Sequence, residues 1–309
     1  GMRAHQISRV LTAISDTVTC RLIELAIEHL GPAPAPFCWL GFGSQARGEQ
    51  LIGADQDNGL LIDDRAGELD LAWFEKLAHF VCDGLNECGY PYCNGKVMAT
   101  TAEWRQRLQG WKATVDGWTR TPTPDAVMRV SIFFDLRAVY GDPGLCQRLQ
   151  QHMLMRTQKN TIFQAALAAN VLDQTPPLGI FRRFVVERNG EHRDEFDIKK
   201  RGVMPMVDLI RIHSLAHGVD AVNSRERLQQ LMQKKVFTIV DGRNLQDAFD
   251  TIQQLRVENQ SRQLAAGLQA SNYLNPKDLP ELERKHLKDA FTIVHDSQEA
   301  LRNHYRQGL

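Results

Sequence analysis

The sequence predicts an α/β domain built on a mixed sheet over residues 1–143, followed by an all-α helical bundle domain over residues 144–309. Three observations carry this expectation. The chain has 309 residues, more than the roughly 100 to 200 typical of one domain. Short apolar runs alternate with helical periods as far as Pro143, the pattern of a sheet covered by helices. Beyond Pro143 most of the apolar spacing is helical.

From Ile7 to Leu30 the residues Ile7, Val10, Leu11, Ile14, Val18, Leu22 and Leu25 recur at three- and four-residue steps, one face of a long helix that Gly31 stops. The prolines of GPAPAPF fix their own φ and disfavour helix in the residues before them, so this stretch is a stiff extended connector. It leads into a strand at 37–40, then a glycine turn in GFGSQARGEQ with a helix starting near Ser44, then a strand at 58–62. Leu71, Phe74, Leu77, Ala78, Val81 and Leu85 mark a helix over 69–87, followed by a loop of glycine, proline and cysteine. A third strand is expected at Arg129–Phe134, its hydrophobic run ending at Asp135. Later helices are expected at 144–172, 203–217, 224–234, 243–269 and 278–306.

Lysine plus arginine (37) balance aspartate plus glutamate (37), so no global field would hold the chain on nucleic acid or on an acidic membrane. Neither partner is expected. The six cysteines show no Cys-x-x-Cys spacing, which fits a reducing compartment and a cytoplasmic location. No apolar run approaches the roughly 20 residues that span a bilayer, and the first residues hold no apolar signal-peptide core. Gly1 ahead of Met2 suggests an added residue, so the natural chain is allowed an earlier start.

The chemistry-bearing string is Gly41-Phe42-Gly43-Ser44-Gln45-Ala46-Arg47-Gly48-Glu49, then Asp55-Gln56-Asp57-Asn58. A glycine turn entering a helix offers backbone N–H groups to a polyphosphate, and Ser44 could donate to the same oxygens. Residues two apart on a strand share one side at roughly 6 to 7 Å, so Asp55 and Asp57 can aim both carboxylates at one point. A hard cation, Mg²⁺ or Mn²⁺, relieves their repulsion and bridges to phosphate oxygens. Asp135 would be a third carboxylate if its strand neighbours the second one. A competing pattern is the dinucleotide fingerprint, Gly41-x-Gly43-x-x-Ala46, with Asp63 or Asp64 near the distance of a ribose-binding acid. That fold wants an uninterrupted helix where Gly48, Gly53 and the acidic pair stand, and it leaves Asp55 and Asp57 without a task.

In the order strand, Gly-Ser turn, short helix, Asp-x-Asp, the sequence resembles the nucleotidyltransferase superfamily of the DNA polymerase beta type. GSQARGEQLIGADQDNGLLI is similar to the nucleotidyltransferase domain related to the N-terminal part of PII-protein uridylyltransferase. DIKKRGVMPMVDLIRIHSLAHGV and LRVENQSRQLAAGLQASNYLNPKDLPELERKHLKDAF resemble the helical domain that accompanies it. The resemblance implies that Gly43 and Ser44 hold the triphosphate of a nucleoside triphosphate and that Asp55 and Asp57 bind the metal. It also implies that Asp135 is the third carboxylate, that Arg47 contacts phosphate, and that Glu49 is its structural partner. Ala54 replaces the family's serine, which removes one hydrogen bond and no ligand. The implied reaction transfers a nucleoside monophosphate to a hydroxyl acceptor, a protein in the uridylyltransferase case, in a signalling pathway. CBS or cyclic-nucleotide-binding regulatory domains are the implied partners. The other reading is a nucleotide-sensing regulatory module without turnover.

Further features have blander readings. Trp104, Trp111 and Trp118 recur every seven residues and are expected to pack between the domains. Lys199, Lys200 and Arg201 form a basic run in which Lys199 is the candidate phosphate contact. It competes with a solvated charge run. His213 and His217 would share a helix face, but Ser214 stands where a zinc protease needs glutamate, so both are expected to be packing or surface residues. His79, Cys82, Cys88 and Cys93 lack the paired spacing of zinc sites, and the cysteines are expected to be buried or incidental thiols.

Overall fold

The computed structural model describes residues 2–179 and 182–307. The chain divides into two compact units: Ile7–Asn160, and the described residues from Thr161 onward together with those up to Gln6. The fold class is the expected one, a mixed sheet with helices and then a helical region. The expected division at 143/144 falls at the first residue of a helix, Pro143–Thr157, that lies wholly in the first unit.

α1 (Ala4–Leu30), in the first unit from Ile7 onward, ends at Gly31, whose φ of +85° breaks the helix, and the proline connector leads into β1 (Phe37–Phe42). β2 (Asn58–Ile62), β3 (Arg105–Arg107) and β4 (Leu136–Gly141) complete a sheet of order β3-β2-β1-β4. β1 runs antiparallel to both of its neighbours, and β3 runs parallel to β2. Every residue of β1 and β2 is buried, as expected of strands covered on both faces. On one face, Ile23 and Ala26 of α1 and Phe74, Leu77 and Val81 of α3 (Leu71–Glu87) pack against Phe37, Trp39, Leu60 and Ile62.

The opposite face carries α4 (Leu108–Arg120), α5 (Pro124–Phe133) and α6 (Pro143–Thr157), with α2 (Gly43–Arg47) at the end of β1. The three tryptophans pack here, inside the first unit. Trp104 lies 5.1 Å from Phe42 between ring centroids, and Trp111 and Trp118 lie 5.0 and 5.6 Å from Phe133. Their aromatic area builds the core under the sheet.

The expected third strand at Arg129–Phe134 is a helix. Thr123 caps α5 by accepting from the Ala126 N–H, Pro124 suits its first turn, and Ala126, Val127, Val130 and Phe133 bury one helical face. The β-branched residues that suggested a strand satisfy a 3.6-residue period instead. The strand begins after Asp135, and it neighbours β1 rather than β2.

In the second unit, α7 (Thr161–Asp173), α8 (Met204–Ala216), α9 (Ser224–Gln233), α10 (Ile239–Ala265) and α11 (Glu281–Gln307) form the helical region. The candidate helix at 144–172 is two helices, α6 and α7, broken at 158–160. α8 is buried on nearly every side, with Met206, Val207, Leu209, Ile210, Ile212 and Leu215 inside. It follows a π-helical turn at Lys199–Val203, and a two-stranded ribbon pairs β5 (Phe196–Asp197) with β6 (Tyr273–Leu274). No helix among the described residues is long and apolar enough to cross a membrane.

Candidate active site

The site is built where β1 ends. Because both neighbours run antiparallel to β1, the residues just before β2 and just before β4 arrive at the same place. The Phe42 N–H donates to the Asp57 carbonyl at 2.9 Å, and the Gly43 N–H donates to the Asp135 carbonyl at 3.1 Å. Gly43 turns the chain between them with φ of +54°, a conformation that L side chains resist. A Cβ there would sit 3.4 Å from Asp57 Oδ2, so the missing side chain also leaves room beside that carboxylate. The Ser44 hydroxyl is half-buried and makes no hydrogen bond among the described residues.

The Asp55–Asn58 segment alternates. Gln56 and Asn58 are buried, whereas Asp55 and Asp57 are half-exposed. The inward amides stitch the segment to α3 and to the loop after it. Gln56 Nε2 donates to the Cys82 and Tyr90 carbonyls at 2.8 and 2.9 Å, and Asn58 Oδ1 accepts from the Ala99 N–H at 2.9 Å. Backbone bonds from Gln56 to Pro91 and from Asn58 to Val97 complete the seam. That loop carries Cys93. Ligand atoms of Asp55, Asp57 and Cys93 lie within 4.8 Å of one another.

This donor set fits a divalent cation. Two carboxylates that converge in this way offer the oxygen ligands a hard divalent cation takes. The Cys93 thiol is pushed up to about 11, by burial first and then by the Asp57 charge. As a neutral thiol it can share a proton with Asp57 rather than compete for a hard ion.

Asp135 does not join this group. Its side chain is fully buried and pairs with Arg47, Nη1 to Oδ2 at 2.6 Å, while Arg47 Nε reaches Glu49 Oε2 at 2.7 Å. Burial alone would push the guanidinium pKa down; Glu49 and Asp135 outweigh it and raise it, so Arg47 stays charged. Asp135 thus braces the turn twice, by its carbonyl on Gly43 and by its carboxylate on Arg47. Asp135 arrives on the β4 side of β1 and Asp55 and Asp57 on the β2 side, and the Asp135 carboxylate is buried against Arg47. Glu49 is the partner of Arg47 that the sequence suggested.

α2 is held from below. Gln45 Nε2 donates to Asp16 at 3.0 Å, and Arg137 pairs with Asp16 at 2.8 Å while donating to the carbonyls of Gln45 and Ala46. A cation on the last carbonyls of a short helix substitutes for a longer helical ladder. Lys199 lies in the second unit, at the head of the π-helical turn, where the next N–H, that of Lys200, donates to Asp197 at 2.8 Å.

Residues 1–125 match the family described as "Putative nucleotidyltransferase DUF294", and residues 161–305 match "Putative nucleotidyltransferase substrate binding domain". The chain belongs to this nucleotidyltransferase family. Nucleotidyl transfer in general is the activity that its two domains indicate. No curated protein matches the chain. In this chain, residue patterns alone pointed to Gly43, Ser44, Asp55 and Asp57. Gln56, Asn58 and Cys93 were missed. The amides had a usable signal, since polar residues at the buried phase of a two-residue alternation need partners. Cys93 had none, because the loop that brings it in is defined by those same amides.

Proposed function

We propose that the chain is a divalent-metal-dependent nucleotidyltransferase that moves a nucleoside monophosphate from a nucleoside triphosphate to a hydroxyl acceptor and releases pyrophosphate. The observation that carries this reading is the convergence of Asp55 and Asp57 beside the open turn at Gly43. Asp55 and Asp57 would hold Mg²⁺ or Mn²⁺, which supplies charge neutralisation on the phosphates. Gly43 leaves space for the triphosphate next to Asp57, and the Ser44 hydroxyl is available to donate to a phosphate oxygen. Arg47, Glu49 and Asp135 keep the turn in shape from inside, so Arg47 acts as a buried brace rather than as a phosphate contact. Lys199 is proposed separately as a nucleotide contact, on the strength of the family resemblance and its place in the substrate-binding domain.

The resemblance to PII-protein uridylyltransferase supports a protein acceptor, with CBS or cyclic-nucleotide-binding domains as regulatory partners. One observation favours the other reading, a nucleotide sensor. The Asp135 carboxylate pairs with Arg47, so the third carboxylate expected of the transfer site is engaged elsewhere. Incubation with each α-labelled triphosphate and Mg²⁺ or Mn²⁺ in lysate separates the two. Label on an acceptor with release of pyrophosphate supports the transferase, and Mg²⁺-dependent nucleotide binding without transferred label supports the sensor.

A further inference from the structure

Cys93 stands 36 positions beyond Asp57 in sequence, yet its sulfur falls within 4.8 Å of carboxylate oxygens of both Asp55 and Asp57. The convergence is built in. Gln56 and Asn58, the residues interleaved with the two aspartates, hold the 90–99 loop through four hydrogen bonds, so the segment that supplies the carboxylates also fixes the loop that supplies the sulfur. All three side chains are half-exposed, which leaves an entry path for an ion.

The three donors differ in kind. Carboxylate oxygens suit Mg²⁺ and Mn²⁺, whereas a thiolate is a poor ligand for Mg²⁺ and a strong one for borderline cations such as Zn²⁺ and Co²⁺. Those cations also accept the low coordination number that three protein ligands and solvent provide, whereas Mg²⁺ demands a near-ideal octahedron. We propose that Cys93 is a specificity-determining residue of the metal site, its sulfur joining Asp55 and Asp57 around a thiophilic divalent cation while Mg²⁺ is held by the two carboxylates alone. As the metal–sulfur bond forms, the S–H bond breaks and the proton leaves to solvent, with no change in oxidation state. The site therefore takes two classes of cation by two ligand sets, and Zn²⁺ displaces Mg²⁺ rather than adding to it.

The inference rests on the metal reading of Asp55 and Asp57, and the test keeps the two apart. The 309-residue chain is titrated with Co²⁺ and followed by near-ultraviolet absorption, with Cys93→Ser, Cys93→Ala and Asp57→Asn alongside. Circular dichroism is used to compare their folds. The expected result is a sulfur-to-cobalt charge-transfer band in the parent chain that disappears in both Cys93 variants. Co²⁺ affinity falls in them by at least about tenfold, and Mg²⁺ affinity, read by competition, stays unchanged. Co²⁺ binding that is lost in Asp57→Asn but shows no charge-transfer band, or a band that survives in Cys93→Ser and Cys93→Ala, overturns the role of Cys93 and leaves the metal site standing. Co²⁺ and Mg²⁺ binding indifferent to Asp57→Asn overturns the metal site itself.

Discussion

Arg47 Nη1 lies 2.6 Å from Asp135 Oδ2, with no more than a twentieth of either side chain exposed. This pair, spanning 88 positions in sequence, ties the glycine turn after β1 to the segment entering β4. It gives two conspicuous charged residues a structural task next to the site.

Removing the cation should therefore unfold the first unit more easily. Arg47→Met removes the guanidinium that pairs with buried Asp135 and Glu49, a change worth about 3 to 5 kcal/mol. All five tryptophans lie between Trp39 and Trp118, so urea unfolding followed by tryptophan fluorescence reports on this unit alone. An unchanged midpoint would show that the buried triad contributes nothing net.

Asp57→Asn keeps the shape and removes the charge. If Asp57 holds the metal, the rate of pyrophosphate release should fall at least about a thousandfold, roughly 4 kcal/mol of barrier, while the fluorescence midpoint barely moves. Full activity in the variant would take Asp57 out of the mechanism.

Gly43→Ala forces a side chain into left-handed backbone, at a cost of about 1 to 2 kcal/mol, and places a methyl group against Asp57 Oδ2. We expect weaker Mg²⁺-dependent nucleotide binding in a chain that still folds. Thermal shifts with ATP, UTP, GTP and CTP would measure it, and undiminished shifts would argue that the turn does not border the site.

Asn58→Ala should loosen the seam between the Asp-x-Asp segment and the 90–99 loop. It strips the partner from the buried Ala99 N–H, a loss of about 1 to 3 kcal/mol. Hydrogen exchange at Ala99 should quicken markedly while exchange in α3 changes little. Uniform acceleration across the unit would mean global destabilisation instead.

His213 of α8 carries a pH dependence. Burial, reinforced by His217 and His304, pushes its pKa down to about 4 from an ordinary value of 6.5. Between these two values the unfolded chain binds a proton that the folded chain refuses, so this contribution to stability is complete above about pH 6.5 and is lost as pH falls toward 4. Replacing His213 with Phe should flatten the stability profile of the second unit across that window, measured by far-ultraviolet circular dichroism. A slope equal to that of the parent would assign the effect to other groups.

The features that the amino-acid sequence determined by itself are those written in neighbouring residues. The long first helix ending at Gly31, the strand at Asn58–Ile62, the helical second half and the Gly43, Ser44, Asp55, Asp57 string all follow from periods of two or 3.6 residues and from local backbone demands. Tertiary structure decided the rest. The stretch from Arg129 to Phe134 has an apolar pattern that a buried strand or a buried helix could satisfy, and the cap at Thr123 with packing against Phe42 settled it as helix. That the Asp135 carboxylate meets Arg47 is a contact made across 88 positions that no local pattern encodes. The same holds for Cys93, whose approach to Asp55 and Asp57 depends on hydrogen bonds from Gln56 and Asn58 to a distant loop. Local conformation is set by short-range sterics and periodicity, but the identity of a side chain's partner is set by the order in which strands and loops assemble.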